Sequence, residues 1–201
     1  ATPEEETTAF TDSVKNTRIN FVQGLPDNSF GASYYPDILI DVEVDGINQT
    51  IQVPPSIAMT RVYSDLPEFS RPMGVNRGAL PDGEIPTIKL SDKETDDFYQ
   101  SSINVIAADP QIPTAGAFAR SQRTLQKTGT GSKISIRRML IKVRRIVGKT
   151  LREGFLFEKG TTMSINRARD LIENELVKLK ASGAFKSFKV KMDTSGTGFR
   201  D

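Results

Sequence analysis

Between Ile134 and Glu158 the chain reads ISIRRMLIKVRRIVGKTLREGFLFE, with seven Lys or Arg residues before its first carboxylate, Glu153. Apolar residues fall at Ile136, Met139, Leu140, Val143, Ile146, Val147 and Leu151, the i, i+3, i+4, i+7 spacing of an amphipathic helix. Arg138, Lys142, Arg145, Lys149 and Arg152 step by four, three, four and three. At about 100° per residue that keeps five like charges in one narrow stripe opposite the apolar face. Such a helix forgoes the i, i+4 ion pairs that support a solvated helix and adds mutual repulsion, each effect worth about 0.2–0.5 kcal/mol. An anionic counterpart is therefore expected: an acidic protein surface, a phosphate backbone or an anionic membrane. The alternative is a solvated face whose long stems cover apolar surface.

The charge pattern of the whole chain extends this asymmetry. Residues 1–100 hold seven Lys or Arg against seventeen Asp or Glu, a balance of −10, and residues 101–201 hold twenty against eight, a balance of +12. Between Asp109 and Glu153 there are eleven basic residues and no acidic one. Halves of opposite sign fit either an anionic partner or head-to-tail association of copies.

Other elements are legible along the chain. Residues 1–33 read as a polar segment, with FVQGLPDNSFG as a loop, that packs on something else. DILIDVEVDGINQTIQV alternates Ile38, Ile40, Val42 and Val44 with polar positions, breaks at Asp45-Gly46, and resumes at Ile51 and Val53, a β-hairpin with a favoured turn dipeptide. Pro54 to Pro86 reads as irregular structure with one helical turn at SIAMTRVYS. Ser91 caps a short helix, INVIAAD and AGAFARSQRTL read as strands or short buried segments, and KTGTGSK is a connector. A second long helix runs from about Ser164, its N-cap, to Ala181, burying Ile165, Ala168, Ile172, Leu176 and Leu179, with Gly183 as its left-handed cap. The alternation of Phe188, Val190 and Met192 with Lys189 and Lys191 reads as a closing strand, and residues 194–201 as a flexible end. The order of elements implies an α+β (mixed α/β) fold, a sheet with two long amphipathic helices packed on one face.

Composition removes several function classes. The 201 residues include no Cys and no His, so disulfides, thiolate nucleophiles, the usual zinc ligands and the side chain that titrates near neutrality are all missing. No catalytic or cofactor-binding residues are nominated, and no enzymatic activity is expected. Asp41, Glu43 and Asp45-Gly46 resemble the opening of a calcium loop, but its twelfth position is Gln52 in place of a bidentate Glu, so no metal is expected. KTGTGSK has Ser132 directly before Lys133, where a phosphate-binding loop needs Gly. No run of about 20 apolar residues could span a bilayer, so no membrane insertion is expected. ATPEEETTAF has neither a starting Met nor the layout of a secretion signal, as expected of a fragment or processed product. Nucleic acid is a secondary expectation, weakened because no aromatic side chains interleave with the basic stripe for base stacking.

Several strings, taken in order, are similar to the C-terminal region of contractile tail sheath proteins of bacteriophages and their relatives in bacteriocin and type VI secretion particles. These are YYPD from Tyr34, PPSIAMTRVYSDL from Pro54, GVNRGAL from Gly74, LSDKETDDFYQSSINVI from Leu90, RTL from Arg123, the basic helix ending in FE, and the second helix ending in SGAF. Together they cover most of residues 34–193, taken as one sheath C-terminal-type domain. The chain departs from the family in having Lys159-Gly160 after FE, where Pro-Asn is usual, and in lacking Trp. The resemblance implies a structural subunit of a contractile tail that polymerises as stacked hexameric rings around an inner tube. Rearrangement on contraction then drives the tube through the host envelope. It implies further copies of the chain, a tail tube protein, and baseplate and tail terminator proteins as partners, in the virion after assembly in the host cytoplasm. Arg138, Lys142, Arg145, Lys149 and Arg152 become candidates for contact with the tube or a neighbouring subunit, and Phe188, Val190 and Met192 for an inter-subunit strand.

Overall fold

The computed structural model describes residues 3–81, 84–109, 111, 116–156 and 160–192. The chain divides after Arg137 into two compact units. Its α and β content is mixed, as expected, but among the described residues the strands form two three-stranded sheets instead of one.

In the first unit α1 (Pro3–Gln23) precedes β1 (Ser33–Tyr35), and the hairpin β2 (Ile38–Val44) and β3 (Ile47–Val53) leads to α2 (Ser56–Asp65). β4 (Ile85–Pro86), α3 (Asp92–Gln100), β5 (Ile103–Ala108) and β6 (Ala117–Ala119) follow. β5 is the central strand of the first sheet, parallel to β1 and antiparallel to β6. Its faces feed two cores, which is why Ile103, Val105 and Ile106 are all buried although they lie on opposite sides of the strand. Ile103 and Val105 join Val22, Tyr35 and Phe98, while Ile106 joins Ile38, Met59, Val62, Leu80, Ala117 and Ala119. The Tyr35 and Phe98 rings lie 4.8 Å apart.

The polar N-terminal segment is not irregular throughout. α1 continues to Gln23, taking in Phe21 and Val22 from the stretch expected to be a loop. Val22 is buried in the core, and Lys15 Nζ lies 3.0 Å from an Asp97 carboxylate oxygen on α3. The single turn expected at SIAMTRVYS is a ten-residue helix, α2, which buries Ala58, Met59 and Val62.

GVNRGAL has a definite structural task. Gly74 N–H donates to Ala119 O, Ala119 N–H to Gly78 O, and Leu80 N–H to Ala117 O, at 2.8, 2.9 and 2.8 Å. The loop thus clasps β6. A Cβ on Gly78 would lie 2.5 Å from Met73 Cα, and backbone cannot yield as a flexible side chain could, so the clasp needs glycine there.

The second sheet has the order β3-β2-β4. Its hairpin turns at Asp45-Gly46, both with positive φ, as a two-residue type I′ turn requires.

Ser91 caps α3 as expected. Its hydroxyl and its N–H donate to Glu94 Oε2 at 2.6 and 2.8 Å, and Glu94 N–H donates back to Ser91 Oγ at 3.3 Å, completing a capping box. The hydrogen bond from the Ser91 hydroxyl, with that from its backbone, holds the Glu94 carboxyl below its ordinary value. A carboxylate with a depressed folded pKa contributes stability above its unfolded value and loses it as pH falls through the folded value. Ser91→Ala should therefore lower the urea midpoint near neutral pH by the equivalent of about 1 kcal/mol. The gap to the parent should narrow once Glu94 is protonated in both, and a pH-independent gap would count against this coupling.

The second unit holds α4 (Ile134–Phe155) from Arg138 onward, and α5 (Thr162–Ala181). α5 buries Ala168, Ile172 and Leu176. Its N-cap is Thr161, not Ser164: Ser164 N–H donates to Thr161 Oγ1 at 3.2 Å. Ser164 instead occupies the third helical position, where it receives the cap. After the helix, Gly183 has φ 86°, and Ala184 N–H reaches Leu179 O while Gly183 N–H reaches Lys180 O, a Schellman closure. The closing strand expected at Phe188–Met192 is absent. Those residues carry no strand, and none of the strands among the described residues pairs with them. The segment 194–201 lies outside the described residues.

Candidate protein–protein interface

The basic helix begins from a fixed anchor in the first unit. Asn104, wholly buried on β5, donates from Nδ2 to Ser33 O and Arg123 O, and accepts at Oδ1 from Ser121 Oγ and Arg123 N–H. That hub fixes residues 121–123 on either side of buried Gln122. The first N–H groups of a helix have no partner within it. Here Gln122 supplies one, its carbonyl accepting from Ile134 N–H at 2.9 Å and its Oε1 from Ser135 N–H at 3.3 Å. Ile134 and Ser135 are buried, and the Arg137 guanidinium lies 4.6 Å from the Phe30 ring centroid. Sequence reasoning missed this anchor, since Gln122 and Asn104 are single polar residues with no spacing rule to mark them.

Beyond the anchor the stripe lies on continuous helix. Arg138 and Lys142 are half-buried, while Arg145, Lys149 and Arg152 are exposed, as is Arg144 beside them. From Arg138 to Arg152 the stripe spans about 21 Å at 1.5 Å per residue. Lys149 Nζ lies 4.0 Å from Glu153 Oε1 with both side chains largely in solvent, a pair worth little. On the opposite side Ile136, Met139, Val143, Ile146 and Val147 are half-buried, and Leu140 and Leu151 are exposed.

The second candidate element, Phe188–Met192, keeps the expected alternation without a strand. Phe188, Val190 and Met192 are half-buried, whereas Lys189 and Lys191 are exposed. Val190, Lys191 and Met192 line a groove with Ile165, Asn166 and Arg169 of α5, and Ser187–Val190 line another with Glu173, Val177 and Ala181. The segment therefore runs back along α5, its apolar side chains half-buried and its lysines exposed at the groove rims. Phe185 and Phe188 meet edge to face at 5.5 Å.

Opposite charge sits on the hairpin. Residues 37–53 carry Asp37, Asp41, Glu43 and Asp45 and no Lys or Arg. Asp41 and Glu43 face away from the apolar side of β2, and Thr50 Oγ1 donates to Asp41 Oδ1 at 2.6 Å. Among the described residues there is no group of three or more Asp or Glu placed to hold a metal ion, and no helix long and apolar enough to cross a membrane.

No protein-family model matches the sequence, and no curated protein does. Solved structures do. The chain is similar to the sheath complex of an extracellular contractile injection system, PVC, in its contracted state, at TM-score 0.70 and 23% identity over 88% of this chain and 49% of that one. It is similar to the contracted helical sheath of the anti-feeding prophage at TM-score 0.60 and 21% identity, over 80% of this chain and 43% of that one. A sheath tail protein from Listeria innocua matches at TM-score 0.58 and 16% identity, over 88% and 45%. The chain thus spans less than half the length of the sheath proteins it matches. Four-fifths or more of its residues are covered in each case, and the chain has the contractile tail sheath fold.

Proposed function

We propose that this chain acts within a structural subunit of a contractile sheath. In this reading copies stack as hexameric rings around an inner tube, in a phage tail or a phage-like particle, and their rearrangement on contraction drives the tube through an envelope. The observation that carries the reading is the likeness, over most of the chain, to sheath proteins in contracted assemblies. The chemistry agrees with it. A chain without His or Cys, acidic in its first half and basic in its second, is suited to repeated heterologous contacts between copies and not to catalysis.

The stripe Arg138, Lys142, Arg145, Lys149 and Arg152 is the proposed contact with acidic tube surface or an acidic neighbour. Polar, salt-sensitive contacts of this kind can be exchanged during contraction without exposing a large apolar patch. Baseplate and terminator proteins would close the two ends of such a sheath.

The test is electron microscopy of the full product of the reading frame, co-expressed with its tube protein. Hollow sixfold tubes or rings are expected. Uniform small particles under the same conditions would overturn the reading, and a steeply salt-dependent affinity of those particles for duplex DNA would redirect it to nucleic acid.

A further inference from the structure

α4 carries a third face, distinct from the basic stripe and from the half-buried side. At about 100° per residue Leu140, Ile141, Arg144, Gly148 and Leu151 fall within one arc of about 100°. All five are exposed, the three apolar ones at 37% each. After proline, glycine is the least favourable residue in an exposed helix interior, and Gly148 stands about two turns inside the end of α4. A Cβ added to it would meet nothing within 4 Å, so the subunit itself does not call for glycine there. What a glycine between exposed Ile141 and Leu151 provides is room for the backbone of a partner. The surroundings of this notch carry one sign, with Arg144 inside the face and Arg145, Lys149 and Arg152 along its border.

The tip of the β2–β3 hairpin has the matching features. Val44 and Ile47, exposed at 48% and 62%, are a directly opposed pair that shares one face. Between them lies the Asp45-Gly46 turn, whose Gly46 presents bare backbone with nothing within 4 Å of where a Cβ would stand. Glu43 and Asp45 add two exposed carboxylates, and residues 37–53 carry no cation. Among the described residues no ion pair involves Glu43, Asp45, Arg144 or Arg145. A tight turn is a shape able to reach a notch one residue wide, and its charge is opposite to that of the rim.

We propose that the β2–β3 turn of one copy seats on the Gly148 notch of α4 in a second copy. The Asp45-Gly46 backbone lies over Gly148, Val44 and Ile47 cover Ile141 and Leu151, and the carboxylates of Glu43 and Asp45 meet Arg144 and Arg145. The apolar pair supplies the burial, and the opposite charges fix the orientation. This deepens the sheath reading and rests on it, by naming the two surfaces of one copy-to-copy contact. Contact between the tips of two hairpins is disfavoured because it would bring carboxylates of like sign together.

The absence of Cys from the chain makes a disulfide test clean. Two singly substituted, differently tagged chains, Ile47→Cys and Leu151→Cys, would be mixed and oxidised. The covalent mixed dimer should be at least about tenfold more abundant than when Met163→Cys replaces Leu151→Cys, although Met163 is the more exposed residue, at 82%. Adding Gly148→Leu to the Leu151→Cys chain should cut the yield by about tenfold or more. It should also raise the melting temperature of that chain by about 2–4 °C, because leucine is much the better helix former. A glycine kept only for the subunit's own structure would not give that opposition. Adding Arg144→Glu and Arg145→Glu instead should lower the yield as well, and so should added salt. No mixed dimer, an equal yield with Met163→Cys, a yield unmoved by Gly148→Leu, or a melting temperature lowered by it would each overturn the proposal. Sixfold tubes of the full product would leave the sheath reading standing in any of those cases, so the two can fail separately.

Discussion

Asn104→Leu should destabilise the chain by about 4 kcal/mol and lower its melting temperature by roughly 8–16 °C. The side chains are close in volume, so the loss is not one of packing. Four groups lose their partner: the carbonyls of Ser33 and Arg123, the Arg123 N–H and the Ser121 hydroxyl. A buried polar group left unpaired costs about 1–3 kcal/mol, and some of the four would recover water. Against a total stability of about 5–15 kcal/mol the remainder is large. Ser121→Ala removes a single bond of the hub and should cost about 1 kcal/mol. Calorimetry of the two variants separates the cases. Similar small losses for both would mean that the hub is replaceable by solvent.

The same substitution should be felt along the chain, because Arg123 is held by Asn104 while its neighbour Gln122 caps the start of α4. Hydrogen exchange at Ile134 and Ser135 should accelerate in Asn104→Leu more than exchange in the middle of α5. The first turn of α4 therefore depends on a buried polar residue far back along the chain, on β5.

How much of this was legible beforehand follows from which interactions are local. The hairpin, the capped α3 and both long helices were visible because periodicity and turn or cap chemistry lie within a few residues of one another. Even the one-turn error at α5 is of that kind, since Thr161 and Ser164 both carry a hydroxyl and only geometry decides which of them caps. The Asn104 hub joins residues 19 and 71 positions apart, and no window along the chain brings them together. α1 escaped notice because its polar composition gives a weak apolar stripe, and tertiary contact at Val22 holds its last turn. Phe188–Met192 shows the reverse. Its alternation describes which side chains are half-buried, and that survives on α5 without the ladder that alternation ordinarily implies. Of the candidate interface, the stripe could be read directly. Its anchor required the fold.

The double variant Lys142→Glu with Arg145→Glu should lose assembly while the subunit still folds. Within α4 the parent side chains are spaced among Arg138, Lys149 and Arg152, so their charges repel along the stripe. The new carboxylate in place of Arg145 would stand four residues before Lys149, the favourable orientation of an i, i+4 pair. The one in place of Lys142 would stand four residues after Arg138, so the isolated helix gains a few tenths of a kcal/mol or is unchanged. At an acidic partner each substitution exchanges attraction for repulsion, about 1–2 kcal/mol at moderate salt for a solvated contact. Two such changes amount to about 2–4 kcal/mol, or roughly 30- to 1000-fold in the association constant of each subunit. Sedimentation of sheath–tube mixtures should therefore show loss of assembly in a variant that still melts cooperatively. High salt should weaken the parent toward the variant, since screening acts on the same contacts. Assembly that is unchanged at low salt would show that the stripe is a solvated face, and a melting temperature that falls with assembly would show that these cations stabilise the subunit itself.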